Sequence, residues 1–158
     1  RLGMTLTMPG AYDRMKWYGR GPGESYADRN SASLIGLYES TVWEQYHPYV
    51  RAQESGNHCD VRWMAFADES GNGIMVSGEQ PLNVGAWNFP QSDLEYIPAM
   101  IERRHGGSIE KQDMVTLNID HRMMGVGGDN TWGAQVHPEY TVTPKEYNYK
   151  FSLRAIHP

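Results

Sequence analysis

Strict alternation of apolar and polar residues constrains this chain more than any other feature. Val115, Leu117 and Ile119 alternate with Thr116, Asn118 and Asp120, and Tyr147, Tyr149, Phe151, Leu153 and Ala155 alternate with Asn148, Lys150, Ser152 and Arg154. Successive side chains of an extended backbone point to opposite faces, so a period of two predicts strands with one buried and one wet face. Leu2, Met4, Leu6 and Met8 show the same pattern from the first residues, as though a strand were entered midway, and the chain reads as a piece of a longer protein. Further strands are predicted over 13–18, 35–43, 59–67, 73–79 and 83–89, with Ser70-Gly71-Asn72-Gly73 as a hairpin turn. A last pair, 140–143 and 147–155, is joined around Pro144-Lys145-Glu146. One short helix is expected from Ser92 to Ala99, with Ser92 as its cap, Asp93 and Glu95 in its first turn, and Pro98 limiting its length. About eight one-sided strands must bury their apolar faces against another layer, which predicts an all-β, antiparallel β-sandwich. The 158 residues suit a single domain, 1–158.

Composition narrows the choice of partner. Lys and Arg number 14 against 19 Asp and Glu, so no basic surface awaits a nucleic acid backbone. No run approaches the roughly 18 apolar residues of a membrane span, which argues against a membrane partner. Cys59 is the only cysteine and reads as a buried thiol; it leaves the compartment, cytoplasmic or periplasmic, open. Five Trp and ten Tyr against three Phe place the aromatic excess in rings with a polar edge, which suit a surface where an apolar face meets a sugar.

The loops 19–32, 44–58 and 123–137 are longer than hairpins need, and function is expected there. Hydrolysis of a glycoside needs two carboxylates a few ångströms apart. The pairs Glu24 with Asp28, Asp68 with Glu69, and Asp129 with Glu139 have no distinguishing context, and read as turn formers and solvated surface residues. The six histidines lack metal-binding spacing. The glycine-rich stretches 19–23 and 125–128 open no helix, so neither is a phosphate cradle. What stands out is the loop from Met124 to Gly133, in which glycines let the chain turn sharply and Trp132 sits between Thr131 and Gly133. The C–H face of a pyranose packs on an indole while its hydroxyls stay hydrated, so Trp132 is a candidate sugar platform, with Asp129 and Asn130 as candidate polar contacts beside it.

Three motifs together resemble the C-terminal domain of the large bacterial β-galactosidases of glycoside hydrolase family 2, over nearly the whole chain. The first runs from Trp17 through Gly19, Gly21, Pro22, Glu24, Tyr26, Asp28 and Arg29, similar to W-x-G-x-G-P-x-E-x-Y-x-D-R, with Ser25 where Asn is usual. The second holds Tyr49, Gln53, Glu54, Gly56 and Asn57, with Ala52 in the place of a Pro, and continues to Val61-Arg62-Trp63. The third is the glycine loop, similar to G-x-G-G-D-x-S-W-G, with Thr131 in the place of Ser. Residues 96–112 depart from the family pattern.

The resemblance implies a galactose-mutarotase-like supersandwich and a parent that hydrolyses terminal β-galactosides such as lactose. It places Trp132 where the family tryptophan stacks on the acceptor sugar. It implies that the catalytic glutamates, and the magnesium and sodium sites, lie on a separate barrel domain, so this stretch has no catalytic residue, no metal and no cofactor of its own. The partners implied are the β-galactoside or its acceptor sugar, the barrel of the same chain, and further copies in a homo-oligomer. The first two motifs are expected to serve loop architecture, with Asp28 and Arg29 pairing with backbone or barrel and Gln53, Glu54 and Asn57 satisfying loop amides. The competing class is a stand-alone carbohydrate-binding module. An epimerase-like enzyme is disfavoured, since Asp120 and His121 are adjacent on a strand and face opposite sides.

Overall fold

The computed structural model of the chain describes residues 1–95, 105–130 and 133–158. Seven antiparallel strands form one hydrogen-bonded sheet: β1 Leu2–Pro9, β2 Arg14–Gly21, β3 Leu34–Thr41, β4 Asn57–Ala67, β5 Gly73–Trp87, β6 Met114–Arg122 and β7 Phe151–Ile156. Their order is β1-β6-β5-β4-β2-β3, with β7 also paired to β5. The fold is all-β, as the alternation predicts, and no described helix is long and apolar enough to cross a membrane.

The single sheet is folded into two layers, and its connections require this. Pro9 pairs with Met114, near the Trp87 end of β5, whereas Arg14 pairs with Ala67, which lies opposite Gly73 at the other end of β5. On a flat sheet those two levels would be about 46 Å apart along β5, yet the link from Pro9 to Arg14 reaches about 18 Å at most. The long strands therefore double back. β4 breaks register between His58 and Val61 and again before Trp63, with Asp60 at a φ of 54°, and β5 leaves its pairing with β7 at Gly78 and takes up β6 at Asn83. Strands that pass between layers through bulges form the corners of such sandwiches. Lys111 Nζ meets Asp13 Oδ2 at 2.7 Å where the layers come together.

The faces turned inward meet in one core of Met15, Trp17, Val61, Met64, Phe66, Val76, Leu82, Val84, Leu117 and Ile119, with Met4, Leu6 and Met8 of β1 packed on it. Each large side chain buried there contributes roughly 1.5–3 kcal/mol. A smaller cluster of Trp87, Phe89 and Leu94 supports Trp43 and Tyr46.

Several expectations are revised. Segments 73–79 and 83–89 merge into one continuous strand that ends at Trp87, with Pro81 at the bend between the β7 pairing, which ends at Gly78, and the β6 pairing, which begins at Asn83, where its missing N–H costs no ladder bond. The pairing of 140–143 with 147–155 does not form: Pro138–Tyr140 is a 3-10 turn, and the last strand starts at Phe151 and pairs with β5. In place of a helix capped by Ser92, Gln91–Leu94 is a 3-10 turn preceded by Pro90, with Ser92 inside it; the rest of that expected helix lies outside the described residues. The Ser70–Gly73 turn forms as expected, with Asp68 Oδ1 accepting from the amides of Ser70 and Asn72 at 2.8 and 3.0 Å. Cys59 is buried, and burial pushes its thiol up to about 11.

Candidate functional site

The three motif loops, distant in sequence, converge on one open cleft of about 460 Å3 lined by Tyr26, Arg29, Gln53, Glu54, Gly125 and Gly128 among others. Each loop leaves a strand end, and carboxylates that point inward from the loops tie them together.

Glu24 forms the first tie. Its carboxylate accepts from Tyr49 Oη and Arg29 Nη2 at very close range, from Tyr26 Oη at 3.1 Å, and from the Gly56 amide at 2.8 Å. Burial opposes its ionisation, but the hydrogen bonds of Tyr49, Gly56 and Tyr26 and the charge of Arg29 together hold the carboxyl below the usual range. The Arg29 guanidinium also lies over the Tyr26 ring, 5.3 Å from its centre. Desolvation and the neighbouring carboxylates raise the Tyr26 phenol, which stays protonated.

Asp28 forms the second tie. Its Oδ1 accepts from the Val126 amide at 3.0 Å and its Oδ2 from the Gly127 amide at 2.7 Å, so one carboxylate anchors the start of the glycine loop. A Cβ at 125 would lie 2.5 Å from the same carboxylate, so any larger residue there would have to push Asp28 from its position. Further along, Asp129 Oδ2 meets His137 Nε2 at 2.5 Å, and Asn130 Oδ1 accepts from the Ala134 amide at 3.2 Å, so the candidate contacts Asp129 and Asn130 both take part in closing the loop. Trp132, together with Thr131, lies outside the described residues.

The hydrogen bond and charge of Asp129 raise His137 above its ordinary value. Asp129→Asn is accordingly expected to bring the His137 titration, followed by NMR, back toward 6.5; an unmoved titration would count against the pair.

The remaining motif residues are placed as follows. Gly19 and Gly21 are buried at the end of β2, just before Pro22. Asn57 is buried, with its Nδ2 donating to Ser25 O at 2.8 Å. Gln53 is exposed on the cleft, and Glu54 is bound by Arg1. Glu24 and Asp28 thus accept from loop amides, whereas Asn57 donates to a loop carbonyl instead of satisfying an amide, and Arg29 pairs with Glu24. Tyr49 and Arg1 are the contributors that sequence reasoning missed; the nearest signal was the position of Tyr49 at the head of the second motif. The weighed carboxylate pairs do not act as pairs: Glu24 and Asp28 serve different loops, Asp68 serves its turn, and Asp129 and Glu139 flank His137. Among the described residues no group of three His, Cys, Asp or Glu could hold a metal ion.

Comparison with known proteins identifies the family. The family model described as beta galactosidase small chain matches residues 1–153. The chain is 36% identical over 156 residues to a beta-galactosidase of Priestia megaterium and 35% identical over 156 residues to one of Vibrio cholerae, each alignment covering 98% of this chain and 14% of the relative. It is 38% identical over 140 residues to the beta-galactosidase BgaC of Bifidobacterium adolescentis, covering 88% of this chain and 13% of that protein. The chain thus spans about a seventh of the length of these relatives. With its fold, its three converging loops and these matches, the chain belongs to the beta galactosidase small chain family.

Proposed function

We propose that this chain is the non-catalytic part of a retaining β-galactosidase of the glycoside hydrolase 2 type, acting on lactose-like β-galactosides. It supplies an acceptor-sugar platform at Trp132 and braces a separate barrel that holds the catalytic carboxylates and the metals. Its two-layered sheet is one part of a larger galactose-mutarotase-like sandwich. The observation that carries this reading is the Asp28 tie: the loop bearing Trp132 departs from an anchored base beside a cleft formed by all three motif loops. In a retaining pathway the galactosyl enzyme partitions between water and a sugar acceptor, so a platform for glucose favours transfer.

The test is the ratio of galactosyl transfer to added glucose over hydrolysis in the full-length protein. Trp132→Ala is expected to lower that ratio roughly tenfold, the equivalent of about 1.4 kcal/mol of stacking. An unchanged ratio would remove the platform from this chain.

A further inference from the structure

The site has a third tie, made by a residue outside all three motifs. Arg1 Nη2 meets Glu54 Oε1 at 2.6 Å and Nη1 meets Asp120 Oδ2 at 2.8 Å, while the guanidinium lies 5.4 Å from the centre of the Trp87 ring. Glu54 belongs to the second motif loop, and Asp120 is near the end of β6, three residues before the glycine loop segment begins at Met123. The arrangement is enclosed: Asp120 is 2% exposed and Trp87 fully buried, and the Arg1 side chain is 16% exposed. Space for it is made on β1, where a register shift falls between Leu2 and Gly3 and where a Cβ on Gly3 would lie 2.2 Å from Asp120 Oδ1.

We infer that Arg1 is a positioning residue: by bridging Glu54 and Asp120 it locks the second motif loop to the strand end from which the glycine loop departs. An exposed ion pair would contribute little, but a guanidinium held between two carboxylates and beside an indole, with one of its carboxylates buried, orders the groups it touches. Its effect on the acceptor sugar rests on the reading of Trp132 given above.

The charge balance supplies a signature that a merely structural role would lack. Burial raises both carboxyls, Arg1 counters this at both, and each of the two has further charged or titratable groups facing it. Glu54 faces Asp120, Glu24 and Tyr26, and Asp120 faces Tyr149. Without the guanidinium, Glu54 and Asp120 become a like-charged pair that takes up one proton in common and titrates as a unit. Protonated, the pair can share a hydrogen bond and keep the loop in place; fully ionised, it pushes the loop from β6.

The experiment uses the full-length protein with Arg1→Met, Arg1→Lys, Arg1→Met/Asp120→Asn and Trp132→Ala. Two quantities are followed from about pH 5.5 to 8.5: the glucose-transfer ratio, and hydrogen exchange at the amides of Gly56, Val126 and Gly127, which needs no sugar. Arg1→Met is expected to match the wild type near pH 6 and to fall roughly fivefold in transfer ratio by pH 8, with exchange of Gly56 rising in step. Arg1→Lys keeps a cation and should stay close to the wild type, and the double variant, with one carboxylate removed, should show a flat profile. Profiles of Arg1→Met that parallel the wild type in both readouts overturn the inference. If Arg1→Met does not fold, a double variant that folds with a flat profile supports the charge argument, and one that fails as well overturns it. An effect on exchange but none of Trp132→Ala on transfer would sink the acceptor reading while leaving the lock in place.

Discussion

Glu24→Ala is expected to lower the stability of the fold by about 3 kcal/mol, because it removes the acceptor of two buried donors. The Gly56 amide is buried and Tyr26 is 1% exposed, and each donates to this carboxylate. Leaving a buried donor unpaired costs about 1–3 kcal/mol, and two are left here. Arg29 adds little, since its side chain is 51% exposed and can turn to water. For a domain of this size the loss corresponds to a fall of roughly 6–12 °C in Tm. Glu24→Gln retains one acceptor oxygen but turns an amide toward donors, so it should recover only part of the loss. The change should be concentrated at the site: exchange at Gly56 should rise before that of β4 core amides. The sign with pH follows from the lowered carboxyl, whose contribution is complete above the ordinary carboxylate range and is lost as pH falls through the folded-state value. A loss below about 1 kcal/mol would mean that water replaces Glu24 at no cost, and that the three loops are not held by it.

The same residue shows what the sequence could and could not display. The alternation at Val115–Asp120 and Leu2–Met8 is a local property, and both segments are strands in the expected places. The Asp68 turn is equally local, with donor and acceptor within four residues. The strand β5 was hidden because Gly78 and Pro81 carry the usual marks of a turn; the ladder tolerates them only because the sheet bends there and the pairing passes from β7 to β6. The site was legible as motifs but not as contacts. Glu24 meets Gly56 across 32 positions, Asp28 meets Gly127 across 99 and Arg1 meets Asp120 across 119. No periodicity or spacing encodes such pairs, because they exist only after the sheet has doubled back and brought three loops to one end. Arg1 in particular carries no motif that marks it, and its role depends on the space that Gly3, two residues on, leaves beside Asp120 of β6.

Acid is expected to weaken the fold mainly through His58 between about pH 6.5 and pH 4. The ring is fully buried against Trp17, with the ring centres 4.5 Å apart. Its Nδ1 is 3.2 Å from Arg20 O; a carbonyl can only accept, so Nδ1 carries the proton, and Nε2 is buried without a protein partner. A second proton would place a charge and an unmatched donor in the core. Burial therefore lowers the group to about 4, against the opposing hydrogen bond to Arg20. With the unfolded value near 6.5, the unfolded chain binds more protons throughout this window, so stability rises with pH and is lost as pH falls, by about 3 kcal/mol in all. Glu54, Asp120 and His137, all raised, act in the opposite sense over their own ranges, so the His58 contribution is isolated by difference. Urea unfolding of wild type and His58→Asn at several pH values measures it: the Asn Nδ2 stands where the imidazole Nδ1 does and can still donate to Arg20 O, and the lost ring contact with Trp17 is a constant offset. The gap between the two curves should change by about 3 kcal/mol from pH 4 to 6.5; curves that stay parallel would show that the ring takes up its proton without cost. Because His58 and Trp17 both donate to Arg20 O, and Arg20 in turn holds the first motif loop through the carbonyls of Asn30 and Ser33, the loss is expected to begin beneath the site itself.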